Sequence, residues 1–207
     1  MIQKLKRREP HNIAKHALQR TALAPLVASV GMYNRAVDDS NCVLLEGAQG
    51  FSLGINQGMY PYTTSRDCTT AQLFSDCGLP MGADSSIRVY GVCRLFPIRV
   101  ANRFKDGVQV GTSGPCYPDQ REMSWAEIGL EPELTTVTKL PRRLFSFSAE
   151  QVRQAVRMNG ATRIFLNFCN YDPGIVADVV ARIEESSWAT KVKWLGWGPT
   201  VQHIQEI

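Results

Sequence analysis

The 207 residues are 44% hydrophobic and 20% charged, the balance of an ordinary globular chain with enough apolar residues for one sizeable core, which excludes the disordered and fibrous classes. The formal charge of +4 is modest. Basic residues are scattered except for Lys4-Leu5-Lys6-Arg7-Arg8, a run too short to stand out from a solvated chain start, so no nucleic-acid partner is expected. No stretch approaches the roughly 18 continuous apolar residues of a membrane span, and the amino end lacks the apolar core of a signal peptide. The expectation is a cytoplasmic protein without a membrane partner.

Six cysteines, Cys42, Cys68, Cys77, Cys93, Cys116 and Cys169, form no Cys-x-x-Cys pair, and several lie inside apolar runs. They read as reduced thiols in or near the core. His11, His16 and His203 have no metal-ligand spacing, so no metal site is expected on this chain.

In chain order, His11 to Asn34 has helical composition with an apolar stripe that Pro25 divides. The apolar run Cys42 to Leu45 reads as a buried strand entering the glycine-bordered loop Glu46-Gly47-Ala48-Gln49-Gly50, and ligands of open α/β sheets sit at such strand ends. Ser86 to Val100 is rich in Val, Ile, Tyr and Phe and predicts one long strand or two short ones, perturbed near Pro97. From Ala101 to Pro132 the turn signals Lys105-Asp106-Gly107, Ser113-Gly114-Pro115 and Tyr117-Pro118-Asp119 predict a hairpin excursion.

The last third alternates more regularly. Ser148 and Gln151 have capping-box spacing before a helix that Gly160 stops. Thr162 to Phe168 is a buried-strand run, Pro173 to Glu185 a helix opened by proline, and Lys191 to Leu195 a second short strand leading to Gly196-Trp197-Gly198-Pro199. The class is therefore α/β, with a largely parallel central sheet, flanking helices and the excursion at about 101–132. The division expected is one domain over 1–207, with a helical segment at 1–40 and a ligand-recognition part at 41–207.

Several motifs then carry a family resemblance. Glu46-Gly47-Ala48-Gln49-Gly50, Tyr60-Pro61-Tyr62-Thr63-Thr64-Ser65, Ile98-Arg99-Val100, Thr135-Thr136-Val137-Thr138 with Arg142-Arg143, and Gly196-Trp197-Gly198-Pro199 occur in the order found in adenylosuccinate synthetase. Spacing around Ser113-Gly114-Pro115-Cys116-Tyr117-Pro118 and Met123-Ser124-Trp125-Ala126-Glu127 is similar to the archaeal and bacteriophage forms.

The resemblance implies a partial P-loop-like synthetase fold and a ligase that phosphorylates the 6-oxygen of a purine nucleotide, then lets aspartate displace the phosphate. It implies Gln49 as the amide facing that oxygen, where charge develops before phosphoryl transfer. By the same resemblance Gly47, Thr63, Thr64 and Val100 hold the nucleotide, with Ser65 an alternative to its threonine neighbours. Thr135, Thr136, Thr138, Lys139 and Arg142 form the aspartate segment. Lys139 and Leu140 depart from the commonest pattern, which has glycine and arginine there.

Asn167, Asn170, Gly198 and Pro199 fall where the family binds the base of the nucleoside triphosphate. Guanine-using members have Thr-Lys-x-Asp where this chain has Asn167-Phe168-Cys169-Asn170, so the base-pairing carboxylate is replaced by an amide and adenine is expected. Asp172, close by, offers an acid in another register and keeps guanine open. This pattern resembles the bacteriophage branch that joins aspartate to dGMP.

The family's opening Gly-Asp-Glu-Gly-Lys-Gly-Lys loop, with its acid, and the catalytic histidine after it have no counterpart before Glu46. The implied cofactors are Mg²⁺ and ATP or GTP, with metal ligands outside this chain. The implied partners are a purine nucleotide, L-aspartate, the triphosphate and either a second copy as a homodimer or an amino-terminal half. Three readings follow: half of a dGMP–aspartate ligase, inactive alone; part of an IMP- and GTP-using synthetase; or a non-catalytic nucleotide-binding remnant.

Overall fold

The computed structural model describes residues 22, 24–26, 29–81, 86–185 and 189–207. The chain divides into two units, 1–45 and 46–207. In the first, a 3-10 turn at Ala24–Leu26 contains Pro25, and helix α1 follows at Val30–Asp38. Ser29 caps α1 by accepting from the Met32 N–H at 3.2 Å. In the described part of the segment expected to be helical from His11 to Asn34, α1 begins after Pro25 and runs four residues past Asn34. Residues 11–21, with His11 and His16, lie outside the described residues.

Cys42 to Leu45 is not a strand. The segment is irregular, with Val43 43% and Leu44 85% exposed, and Cys42 is an exposed thiol rather than a core one. An apolar run becomes a strand only when a neighbouring strand takes its N–H and C=O groups, and none of the described strands pairs with it.

The second unit is built on a four-stranded sheet in the order β1-β7-β8-β9. Here β1 is Tyr90–Arg94, β7 Arg163–Asn167, β8 Lys191–Gly196 and β9 Ile204–Glu206. The first three are parallel, and β9 adds antiparallel to β8. Burial alternates along β7, so Ile164 and Leu166 point into the core while Arg163, Phe165 and Asn167 face the other way.

Helices α3 (Ala149–Asn159) and α4 (Val176–Glu185) cover that inner face with Val152, Val156, Val179 and Ile183. Each such fully buried aliphatic side chain contributes about 2 kcal/mol. Of the two forms expected for Ser86 to Val100 the structure has two short strands: Leu95 and Phe96 separate β1 from β2 (Ile98–Arg99) beside Pro97, and β2 turns into a second sheet, β2-β6-β5, with β5 Glu122–Met123 and β6 Arg143–Phe145. The excursion contains a hairpin, β3 (Arg103–Lys105) and β4 (Val108–Gly111). Its Asp106 and Gly107 both have positive φ, 51° and 77°, as a two-residue hairpin turn requires.

At the start of α3 only half of the expected capping box forms. Ser148 Oγ accepts from the Gln151 N–H at 3.0 Å, but the Gln151 amide does not return; it donates to Ser52 Oγ at 2.7 Å and so anchors a one-turn 3-10 helix, Phe51–Leu53. Helix α2 (Thr70–Cys77) is tied to the last turn of α3 through Asn159, whose Oδ1 accepts from the Thr70 N–H at 2.7 Å.

Carboxylates at the element ends make the fold acid-sensitive. The Arg143 fork holds Glu122 below its usual value, and Lys191 does the same for Glu184. Burial raises Asp119, but bonds from the Ser148 hydroxyl and the N–H groups opening α3 outweigh it, leaving Asp119 lowered. These folded values lie below the unfolded ones, so their stabilisation is full above about pH 4.3 and drains as pH falls through the folded values. Melting temperature is expected to stay level from pH 7 to about pH 5 and fall below about pH 4, more gently in Glu122→Gln. A pH-independent melting curve in that window would refute this.

Candidate functional site

Gln49 sits in the left-handed region at φ 69°, unusual for a residue with a Cβ. Its Nε2 donates to Thr64 Oγ1 at 3.1 Å, and its Oε1 accepts from the Cys68 thiol at 3.6 Å. Residues 15 positions apart are thus brought together in an exposed loop, with one Nε2 hydrogen still free to donate. Gly47 lies against Leu73 of α2. The Thr64 N–H donates to the Leu53 carbonyl at 2.8 Å, and the Thr63 methyl packs beside Gly58. The loop does not follow a strand; it is fixed by the 3-10 helix after it and by α2.

Arg99 laces this loop to the excursion, and Arg143 braces the excursion itself. Arg99 donates to the carbonyls of Pro115 at 2.9 Å and Tyr62 at 3.2 Å. Burial lowers its pKa, with the Arg143 charge adding to the effect. Arg143 grips Glu122 with two bonds of 2.8 and 2.6 Å and donates to Ser113 Oγ at 3.0 Å and the Gly114 carbonyl at 2.7 Å. Ser113 in turn donates to the Val100 carbonyl at 2.7 Å, leaving the Val100 side chain exposed.

Arg142 and Arg143 therefore differ in kind. Arg143 has four of its five N–H donors engaged within the protein, whereas the Arg142 guanidinium has no protein partner among the described residues.

In the loop before them, Thr135 is 8% exposed and turned inward. Its hydroxyl meets Thr138 Oγ1 at 2.5 Å and accepts from the Leu140 N–H at 3.0 Å. It shapes the loop, while Thr136, Thr138 and Lys139 are exposed at the tip, Lys139 with φ 54°.

Asn167 ends β7, and its Oδ1 accepts from the Phe168 N–H at 2.8 Å. Gly196, ending β8, faces it so closely that a Cβ there would lie 2.3 Å from Asn167 Oδ1. Asn170 is exposed on the 3-10 turn Cys169–Tyr171; Gly198 is closed down by His203, and Pro199 is exposed. Asp172 is engaged locally, accepting from the Gly174 N–H at 3.0 Å. These groups stand at the carboxyl ends of neighbouring parallel strands.

Sequence reasoning did not single out Cys68, Arg94, Arg99 or Glu133 as functional. Arg99 was visible inside the Ile98-Arg99-Val100 motif; the others carried no local signal. Among the described residues no group of three or more His, Cys, Asp or Glu side chains could hold a metal ion, and no helix is long and apolar enough to cross a membrane.

Comparison with known proteins places this geometry. The family model for adenylosuccinate synthetase matches residues 2–179. N6-succino-2-amino-2'-deoxyadenylate synthase of Salmonella phage PMBT28 is 50% identical over 182 residues, 83% of this chain and 49% of that protein. The protein of the same description from Vibrio phage phiVC8 is 42% identical over 213 residues, covering 99% of this chain and 59% of its own length. This chain thus spans about half the length of the curated relatives it matches.

The solved cyanophage S-2L succinoaminodeoxyadenylate synthetase, bound to dGMP and to dATP as an energy donor, superposes with a TM-score of 0.79 at 44% identity, covering 87% of this chain and 50% of that one. Adenylosuccinate synthetase from Plasmodium falciparum, at 19% identity and a TM-score of 0.67, shares the fold. The family model covers most of the chain, and relatives of 42–50% identity match nearly all of it: this chain belongs to the adenylosuccinate synthetase family.

Proposed function

We propose that the chain is the substrate- and base-recognition part of a purine-nucleotide–aspartate ligase acting on dGMP with ATP, and that it does not turn over alone. The observation that carries this is the Gln49–Thr64 pair, an amide with a free N–H beside a hydroxyl on a loop backed by α2. In the reaction the γ-phosphoryl group passes to the purine 6-oxygen, the aspartate amine attacks C6, and phosphate leaves with the oxygen. The free Gln49 N–H donates to the 6-oxygen as its charge develops. Thr63 and Thr64 offer hydroxyls to the nucleotide phosphate, and Arg142 with the Thr136–Lys139 tip offers cationic and hydroxyl groups to the aspartate carboxylates.

Adenine suits the strand-end site. Asn167 Oδ1 accepts from the Phe168 N–H, while its Nδ2 donors have no protein partner among the described residues. Donors match the ring-nitrogen acceptors of adenine and oppose the N1–H and 2-amino donors of guanine. Magnesium does not fit the residues described here, and no step is assigned to it on this chain.

The test is calorimetric titration of the chain with dGMP, IMP, ATP and GTP, followed by turnover assays. Binding of dGMP and ATP in preference to IMP and GTP, without succinyl-nucleotide formation until the remaining half of a phage relative is added, is the expected result. Failure to bind dGMP overturns the substrate reading, and turnover by the chain alone overturns the division of labour.

A further inference from the structure

We propose that Glu133, with Arg94, Phe168 and Tyr171, is a positioning network that couples the aspartate-side loop to the triphosphate-base segment, so that a ligand seated on one tightens the other. This rests on the two subsites proposed above. None of the four residues is placed in contact with a substrate.

The loop from Thr135 to Arg142 closes on its own base. The Thr135 N–H donates to the Leu140 carbonyl at 2.9 Å, and the Arg142 N–H donates to the Glu133 carbonyl at 2.8 Å. Glu133 is therefore the post on which the loop hangs, and its carboxylate reaches away from the loop. One oxygen, Oε1, accepts from the Tyr171 hydroxyl at 2.8 Å and also pairs with Arg94. Both charged side chains are only about a quarter exposed, at 22% and 27%, so solvent screens this pair less than a surface ion pair. Burial, and then the Glu133 carboxylate, hold the Tyr171 phenol above its usual value, which keeps it a donor throughout the neutral range.

On the other side the network grips the base segment. The Arg94 guanidinium lies over the Phe168 ring with Cζ 3.6 Å from the centroid, and the Phe168 and Tyr171 rings meet edge-on at 5.1 Å. Phe168 occupies the left-handed region at φ 63°, held there by the Asn167 side chain on its N–H and by the Tyr171 N–H on its carbonyl at 3.1 Å. Tyr171 also meets Trp125 edge-on at 6.5 Å, and the Trp125 indole N–H donates to the Arg142 carbonyl at 2.7 Å.

The contacts form a closed ring from Glu133 through Tyr171 and Trp125 to Arg142 and back. Because Asn167 both holds Phe168 and faces the proposed base, ordering of Asn167 by a nucleotide restrains Phe168 and Tyr171, and through Glu133 the loop. A second ligand then meets an already ordered loop, which is positive coupling, and by linkage the factor is the same in either direction.

Tyr171→Phe removes one hydroxyl and keeps the ring packing, so it tests the coupling without dismantling the core. Hydrogen exchange on the full chain is expected to speed up roughly tenfold at the Thr135, Leu140 and Arg142 amides while Ile164 and Leu166 in β7 keep their rates. Unchanged exchange in the loop overturns the proposal, as does uniform acceleration that includes β7. In the unsubstituted chain, saturating L-aspartate should tighten ATP binding by about fivefold or more, and the factor should fall towards one in Tyr171→Phe. Binding of both ligands with no mutual effect overturns the coupling and leaves the proposed function standing. If neither ligand binds, the proposed function falls and this proposal falls with it.

Discussion

Replacing Gln49 by glycine should abolish most nucleotide affinity and leave the fold as stable as before. The backbone at φ 69° costs a residue with a Cβ on the order of 1 kcal/mol, a cost that glycine removes. The exposed bond to Thr64 that is lost with the side chain is worth about the same, roughly 0.5–1.5 kcal/mol, so the two offset. Gln49→Ala loses the bond without relieving the backbone and should melt lower.

Affinity for dGMP behaves differently, because both variants leave the 6-oxygen without its donor. Weakening of roughly ten- to a hundredfold is expected in each. Melting curves and titrations on the two variants separate the effects. Wild-type dGMP affinity in Gln49→Gly would remove Gln49 from the proposed site.

Gly58→Ala has the largest expected effect on the loop itself. A Cβ there would lie 2.5 Å from the Gly54 carbonyl oxygen and 2.5 Å from that of Ser52. Neither oxygen is the tip of a flexible side chain. The Gly58 N–H donates to the Gly54 carbonyl at 2.7 Å, and the Ser52 side chain is pinned at 2.9 Å to the Tyr117 hydroxyl and at 2.7 Å to the Gln151 amide. The loop must open, at about 3 kcal/mol, which lowers the melting temperature by roughly 6–12 °C in a chain of this size. Thr63, whose methyl touches the same spot, and Thr64 move with it, so dGMP binding is expected to be lost while ATP binding at the end of β7 persists. Unaltered melting and dGMP binding in Gly58→Ala would show that the turn is not as tight as its carbonyls indicate.

Much of the carboxyl part was legible from pattern alone. Strand and helix alternation from Ser148 onward is set by local periodicity and by Gly160 as a stop, and α3, β7, α4 and β8 fall where those signals put them. Cys42 to Leu45 misled, since hydrophobicity states a preference for burial and not the presence of a partner strand. Strand β9 was missed because Ile204–Glu206 is short and exposed, and only the neighbouring β8 makes it a strand.

At the site, residue types pointed to Gln49, Thr64 and Arg142, but what distinguishes Arg142 from Arg143 is three-dimensional. Adjacent arginines are identical in sequence terms, and only the positions of Glu122, Ser113 and Gly114 show which one is occupied. For the same reason the internal bonds of Thr135 were not legible, since a hydroxyl in a loop motif does not reveal that it is engaged from within the loop.

The supports of the segment from Ser52 to Thr70 also bear on the order in which the molecule can assemble. They span 65 residues to Tyr117, 99 to Gln151 and 89 to Asn159. Contacts of such separation must meet their loop-closure entropy before they return any stabilisation, so they form after local structure has settled. During synthesis from the amino end, every residue of the Gln49–Thr64 pair has left the ribosome long before any of its distant supports exists. A nascent chain halted ahead of Gln151 would carry the whole Gln49–Thr64 loop with Arg99 and Tyr117 available to hold it, but neither Gln151 nor Asn159.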